Sequence, residues 1–156
     1  MLSGNCGVGK THLIVSLAKE LIEKHHVKCV FLDFRSYLDR LRSGFNNAKI
    51  AAQSEQEKER IRDAELLLID ELGAARQTDF TAEIVSTLIN ERYNLNKPFI
   101  TTTNYAPSPC NVLGERGVAM GETLGDRLGN RTFSRVMDRC KIITIEGHDY
   151  RQSRRL

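Results

Sequence analysis

The 156 residues, 40% hydrophobic and 28% charged, suffice for one domain with a sizeable core and suit a soluble globular protein. No apolar run approaches the roughly 20 residues of a membrane span, and no signal peptide is recognisable, since Met1 leads straight into a glycine-rich loop; a cytoplasmic chain with no membrane partner is expected. Cysteines at 6, 29, 110 and 140 fit no zinc spacing and read as reduced thiols, and a net charge of +3 is too small alone to argue for nucleic acid.

GNCGVGKT, residues 4 to 11, carries the full spacing of a phosphate-binding loop. Glycines let the backbone turn tightly and aim its N–H groups inward, and the following helix points its positive end at the phosphates. The expected nucleotide cradle is Asn5, Cys6, Gly7, Val8, Gly9, Lys10, Thr11 and His12. Lys10 would reach the β- and γ-phosphates, and the Thr11 hydroxyl would ligate Mg²⁺. A strand normally feeds such a loop, yet only Met1, Leu2 and Ser3 precede Gly4. Most of strand one is therefore expected to be missing or vestigial, and the polypeptide to be a fragment or to have lost an upstream domain.

Residues 10 to 24 place Leu13, Ile14, Leu17, Leu21 and Ile22 at helical spacing, and KCVFLDF (28–34) is a strand-like apolar run. Residues 35 to 62 read as one or two polar helices with Tyr37, Leu38 and Leu41 as an apolar strip. ELLLIDE (65–71) is a second strand, which delivers Asp70 and Glu71 to its carboxyl end. There Asp70 suits Mg²⁺ held through water, and Glu71 suits a general base acting on water. Residues 79 to 95 repeat the helical pattern with Phe80, Ile84, Val85, Leu88 and Ile89. KPFITTTNY (97–105) is a third strand, ending at Asn104, a candidate for touching the γ-phosphate or the lytic water; a turn-forming Asn is the rival reading. Residues 106 to 125, with two prolines and four glycines, read as a loop; roughly 130–140 is a final helix, and KIITIEG (141–147) the last strand.

Apolar runs without alternation suit strands buried on both faces of a parallel sheet. The alternation of strands and helices predicts an α/β fold with helices on both faces and ligands at the carboxyl ends of the strands. Charge is uneven: residues 126–156 carry eight basic and four acidic side chains, net +4, while the remainder is near neutral. This is either a solvated terminus or a surface that meets phosphates. Arg131 and Arg135, four apart, share a helix face, and an arginine at a subunit edge can stabilise transition-state charge in a neighbour's nucleotide.

GNCGVGKTHL, LLLIDELG, TTTN and RTFSRVMDRC…IEGHDYR, in this order, resemble the AAA+ ATPase domain of DnaC-type replicative helicase loaders, a pattern shared by IstB-type transposition ATPases. The resemblance spans essentially the whole chain. It implies a three-layer P-loop NTPase of AAA+ type with a five-stranded parallel sheet, a truncated first strand and no separate helical lid. It implies ATP/ADP with Mg²⁺ on Thr11 and Asp70, Glu71 as base, Asn104 as sensor 1, Arg135 as a finger acting in trans beside Arg131, and Arg151 as sensor 2. Arg127 is a further basic candidate at that edge. Implied partners are a replicative DNA helicase, single-stranded DNA, and other copies of the chain in a helical or ring oligomer. Single strands would meet residues 35–47, where Phe45 among Arg40, Arg42 and Lys49 reads as a stacking aromatic or as a core residue. The helicase-binding region and the segment that would cradle adenine, which the family carries before the P-loop, are expected to be missing from the chain. A transposition helper on duplex DNA is the alternative; a small-molecule kinase or a non-catalytic nucleotide-gated adaptor is a more distant one.

Overall fold

The computed structural model describes residues 1–107 and 122–153, with side chains described to Arg151. In chain order the elements are β1 (Leu2–Gly4), α1 (Lys10–His25), β2 (Cys29–Asp33), α2 (Phe34–Gly44), α3 (Ala48–Asp63), β3 (Leu66–Asp70), α4 (Asp79–Asn94), β4 (Phe99–Thr103), α5 (Leu124–Leu128), α6 (Asn130–Arg139), β5 (Ile143–Ile145) and α7 (Tyr150–Ser153). The five strands form one sheet in the order β2-β3-β4-β1-β5, with every pairing parallel.

β3 shows why the chain builds layers. Side chains alternate across a strand, and Leu66, Leu67, Leu68 and Ile69 are all buried. Leu66 and Leu68 join Ile14 and Ala18 of α1 in one cluster. Leu67 and Ile69 join a larger cluster with Phe34, Tyr37 and Leu38 of α2, Val85 and Ile89 of α4, Leu124 of α5 and Val136 of α6. One face of the sheet thus carries α1, and the other carries the remaining long helices.

β1 is short, as expected of a truncated first strand, yet it is integrated in the sheet. It pairs with β4 on one side and β5 on the other, and Met1 adds a bond from its ammonium to the Lys141 carbonyl at 2.7 Å. The strands at the sheet edges are not buried on both faces: Phe31 of β2 and Ile143 of β5 are 46% and 55% exposed. An edge strand lacks a neighbour whose helix would cover it. On α1 the buried line is Ile14, Ala18 and part of Leu21, leaving Leu13, Leu17 and Ile22 exposed.

The polar stretch at 35–62 resolves into two helices, each with a capping side chain: Asp33 accepts from the Ser36 N–H, and Asn47 from Lys49 and Ile50. The expected loop at 106–125 is interrupted at its end by α5, started by a reciprocal capping box between Thr123 and Asp126; residues 108–121 lie outside the described residues. Arg92 of α4, 1% exposed, joins distant segments: its guanidinium donates to the carbonyls of Ile61, Ala64, Glu65 and Pro98. Among the described residues no helix is long and apolar enough to cross a membrane, and Cys6, Cys29 and Cys140 are free thiols. Cys110 lies outside the described residues.

Candidate nucleotide-binding site

The carboxyl ends of β1, β3 and β4 converge on the start of α1. Gly7 and Gly9 take φ values of 79° and 93°, the left-handed region that other residues avoid. Gly9 is the N-cap of α1 and offers no side chain, whereas α2, α3 and α4 are each capped by one. The positive end of α1 therefore has no side-chain cap of its own.

Lys10, the first residue of α1, is 7% exposed. Its Nζ donates to the Gly4 carbonyl at 2.8 Å, the Asn5 carbonyl at 2.7 Å and Asn104 Oδ1 at 2.6 Å. All three partners are neutral oxygens. Burial pushes the ammonium below its ordinary pKa, although Cys6, Asp70 and Glu71 oppose the shift. A buried cation bonded only to neutral groups is suited to an anion such as a polyphosphate.

Asp70 ends the fully buried β3. It accepts from Thr11 Oγ1 at 3.0 Å and from Thr102 Oγ1 at 2.5 Å. Thr102 Oγ1 in turn accepts from the Glu71 N–H at 2.9 Å. One threonine of β4 thus fixes both acids. Glu71 has φ 55°, an uncommon conformation for a residue with a long side chain. Among the described residues no three His, Cys, Asp or Glu side chains cluster as a metal site. Thr11 and Asp70 fit a hard cation that draws its other ligands from phosphate and water, which is how Mg²⁺ is commonly held.

The third wall comes from the far end of the chain. The Tyr150 N–H donates to the Gly7 carbonyl at 3.2 Å, and Arg151 Nη1 lies 3.7 Å from Cys6 Sγ. A Cβ on Gly7 would overlap the Asp149 carboxylate, so Gly7 is required for close approach as well as for its φ. Together these walls enclose a cleft of about 400 Å³.

Of the expected cradle, Cys6, Gly7, Gly9, Lys10, Thr11 and His12 line this cleft, as do Glu71, Asn104 and Arg151. Val8 is buried instead, and Asn5 contributes its carbonyl to Lys10. Asp70 is reached through Thr11. Arg135 lies outside the cleft, where it donates to the Asn90 side chain and sits 5.6 Å from the Tyr93 ring centroid, both on α4. Arg131 is exposed. Much of the basic stretch is absorbed by internal packing. Arg127 donates to the Gly73 and Ala75 carbonyls and pairs with Glu122; Arg139 bonds Asn96 and covers Tyr93 at 4.6 Å. Arg154 and Arg155 lie outside the described residues. Phe45 is 74% exposed and touches Phe80 edge to face at 5.7 Å, which removes the core reading.

Sequence reasoning missed Thr102 and Tyr150 as cleft residues. Thr102 stands two residues before Asn104, and the alternation of a strand gives both the same side; that signal was available. Tyr150 stands beside Arg151 in IEGHDYR, where the resemblance to the loaders implies a role for the arginine alone.

The profile of the IstB-like ATP binding protein family matches residues 1–156. A crystal structure of the DnaC helicase loader superposes with a TM-score of 0.74 at 30% identity, covering 93% of this chain and 76% of that one. The chain is 31% identical over 107 residues to YqaM of Bacillus subtilis (strain 168), described as uncharacterized; this is 65% of the chain and 32% of YqaM. It is 29% identical over 151 residues to the insertion sequence IS21 putative ATP-binding protein of Pseudomonas aeruginosa, covering 97% of the chain and 51% of that protein. The chain thus spans about a third to a half of the length of these curated relatives. The sheet and its helices have the AAA+ P-loop NTPase architecture of the DnaC loader.

Proposed function

Since the chain belongs to the IstB-like ATP-binding protein family, we propose that it hydrolyses ATP to ADP and phosphate in an assembly whose neighbouring subunits complete each site, and that this turnover gates delivery of a replicative DNA helicase onto single-stranded DNA. The observation that carries the ATPase reading is the linked set Lys10–Asn104 and Thr11–Asp70–Thr102–Glu71 at the cleft. Lys10 and the uncapped start of α1 hold the polyphosphate. Thr11 and Asp70 hold Mg²⁺, which when bound neutralises phosphate charge. Glu71 accepts a proton from the attacking water, and Asn104 orients that water. Arg151 reaches the polyphosphate from its own subunit. Arg135, outside its own cleft, serves a neighbour's, with Arg131 as an assembly contact.

The similarity to the DnaC loader supports the helicase partner. The exposed Phe45, with Phe80 beside it and Arg42 5.5 Å from the Phe80 ring centroid, supports single strands, because stacking needs splayed bases. A second reading, a transposition helper on duplex DNA, is favoured by the match to the IS21 protein along 97% of the chain. ATP turnover per chain, measured against protein concentration with single-stranded, duplex or no DNA, tests both. Turnover that climbs with concentration and again with single strands is expected. Stimulation by duplex alone selects the transposition reading. Turnover flat in concentration and indifferent to DNA removes the shared-site mechanism.

A further inference from the structure

Lys10, Thr11, Asp70, Thr102 and Asn104 are tied by hydrogen bonds and present charge to the cleft. α7 is latched to the loop through Gly7 and Cys6, and on it stands Tyr150, 65% exposed yet lining the cleft. No hydrogen bond or aromatic contact engages its ring among the described residues. The backbone beneath it is held all the same: its own N–H bonds Gly7, and the next N–H bonds the Asp149 carboxylate at 2.9 Å.

We propose that Tyr150 is the base platform of this site, stacking its ring on the nucleobase of the bound nucleotide. The inference rests on the nucleotide-binding reading of the cleft. The loop's lysine and hydroxyl serve the terminal phosphates and the metal, which leaves the nucleoside to other side chains of the cleft lining, and Tyr150 is an aromatic among them. A large aromatic face standing free in a wet cleft, on a backbone fixed to the loop that holds the phosphates, matches what a purine needs. Stacking on an aromatic side chain strengthens the binding of a base. It contributes affinity without choosing strongly among bases, since every base presents a π-face. The residue therefore sets affinity for nucleotides over bare phosphates, more than for ATP over GTP.

Binding is measured by calorimetry on the full chain with Mg·ATP and with inorganic tripolyphosphate, for the native protein, Tyr150→Ala and Tyr150→Phe. Tyr150→Ala is expected to weaken ATP about tenfold while leaving tripolyphosphate within twofold, and Tyr150→Phe to bind both as the native protein does. Because the ring is exposed, the nucleotide-free melting temperature should be unchanged. Equal loss for both ligands overturns the proposal, since Tyr150 then only latches α7. Unchanged ATP affinity in Tyr150→Ala overturns it as well. If the native chain binds tripolyphosphate but ATP no more tightly, the base platform is wrong while the phosphate site stands; if it binds neither, the nucleotide reading itself fails and this inference with it.

Discussion

Lys10 Nζ stands 2.6 Å from Asn104 Oδ1, joining the start of α1 to the residue after β4 in the lining of the cleft. The amide oxygen occupies one donor of a buried ammonium without neutralising it. Replacing Asn104 by Asp would supply the missing negative charge from within. The expected outcome is a nucleotide-free protein melting a few degrees higher, since about 1 kcal/mol corresponds to about 2–4 °C at this size, and an ATP affinity at least tenfold weaker. Asn104→Ala should instead leave affinity nearly intact and lower kcat. Calorimetry with a thermal melt separates the two.

Glu71 holds φ at 55°, which costs a side chain with a Cβ about 1–2 kcal/mol. Glu71→Gly is expected to raise the melting temperature while hydrolysis falls at least a hundredfold and ATP binding persists. Glu71→Gln keeps the strain, so it should lose hydrolysis without gaining stability. An unaltered rate in both variants would show that the water is activated elsewhere.

Arg135 gives a test by mixing. Lys10→Ala removes a subunit's own nucleotide grip, and Arg135→Ala removes what it lends to a neighbour. Each variant alone should be nearly inactive, because a trans arginine is worth about 10³–10⁵ in rate. Mixed together, they form some junctions with an intact Lys10 facing an intact Arg135, and part of the native turnover should return. A mixture as silent as its components would leave Arg135 as the partner of Asn90 and Tyr93 alone.

Tyr37 of α2 has its phenol pKa pushed up to about 12, by burial first and then by Glu57, Glu91 and Glu55. Its folded pKa exceeds the unfolded value, so the folded chain keeps the proton more tightly. That stability is present below pH 10 and is lost as pH rises from 10 through about 12. Urea titrations across this window should show Tyr37→Phe losing less stability than the native chain. Parallel curves would mean that the phenol ionises freely.

Arg92 donates to four carbonyls from two separate segments, the end of α3 and the approach to β4. Arg92→Met keeps much of the volume but orphans those carbonyls, at about 1–3 kcal/mol for each that stays buried and unsatisfied. A midpoint loss of at least 3 kcal/mol is expected in denaturant unfolding, with tripolyphosphate affinity unchanged in the protein that remains folded.

Much of this architecture is legible in the residues. GNCGVGKT and LLLID announce a loop and a strand whose ends must meet a phosphate and a metal, because spacing alone dictates both backbones. Elements set by distant partners were harder to read. Leu13 and Leu17 look like core on a helical wheel, yet the sheet beneath α1 accepts only the Ile14–Ala18 line. The basic residues after position 126 read as a surface because their acceptors, the carbonyls of Gly73 and Ala75 and the side chain of Asn96, belong to remote loops. Thr123-x-x-Asp126 is a local capping signal, overlooked among the glycines around it.

The contact of Arg151 with Cys6 spans 145 residues of chain, and this has a bearing on how the molecule is made. The loop that grips phosphate therefore leaves the ribosome well before its third wall. Loop closures of that length are slow and late. A nascent chain carries the motif through all of that intervening synthesis without a finished cleft, and full nucleotide affinity becomes a signature of the closed site. Truncation just before Tyr150 should leave a stable sheet that no longer answers to ATP.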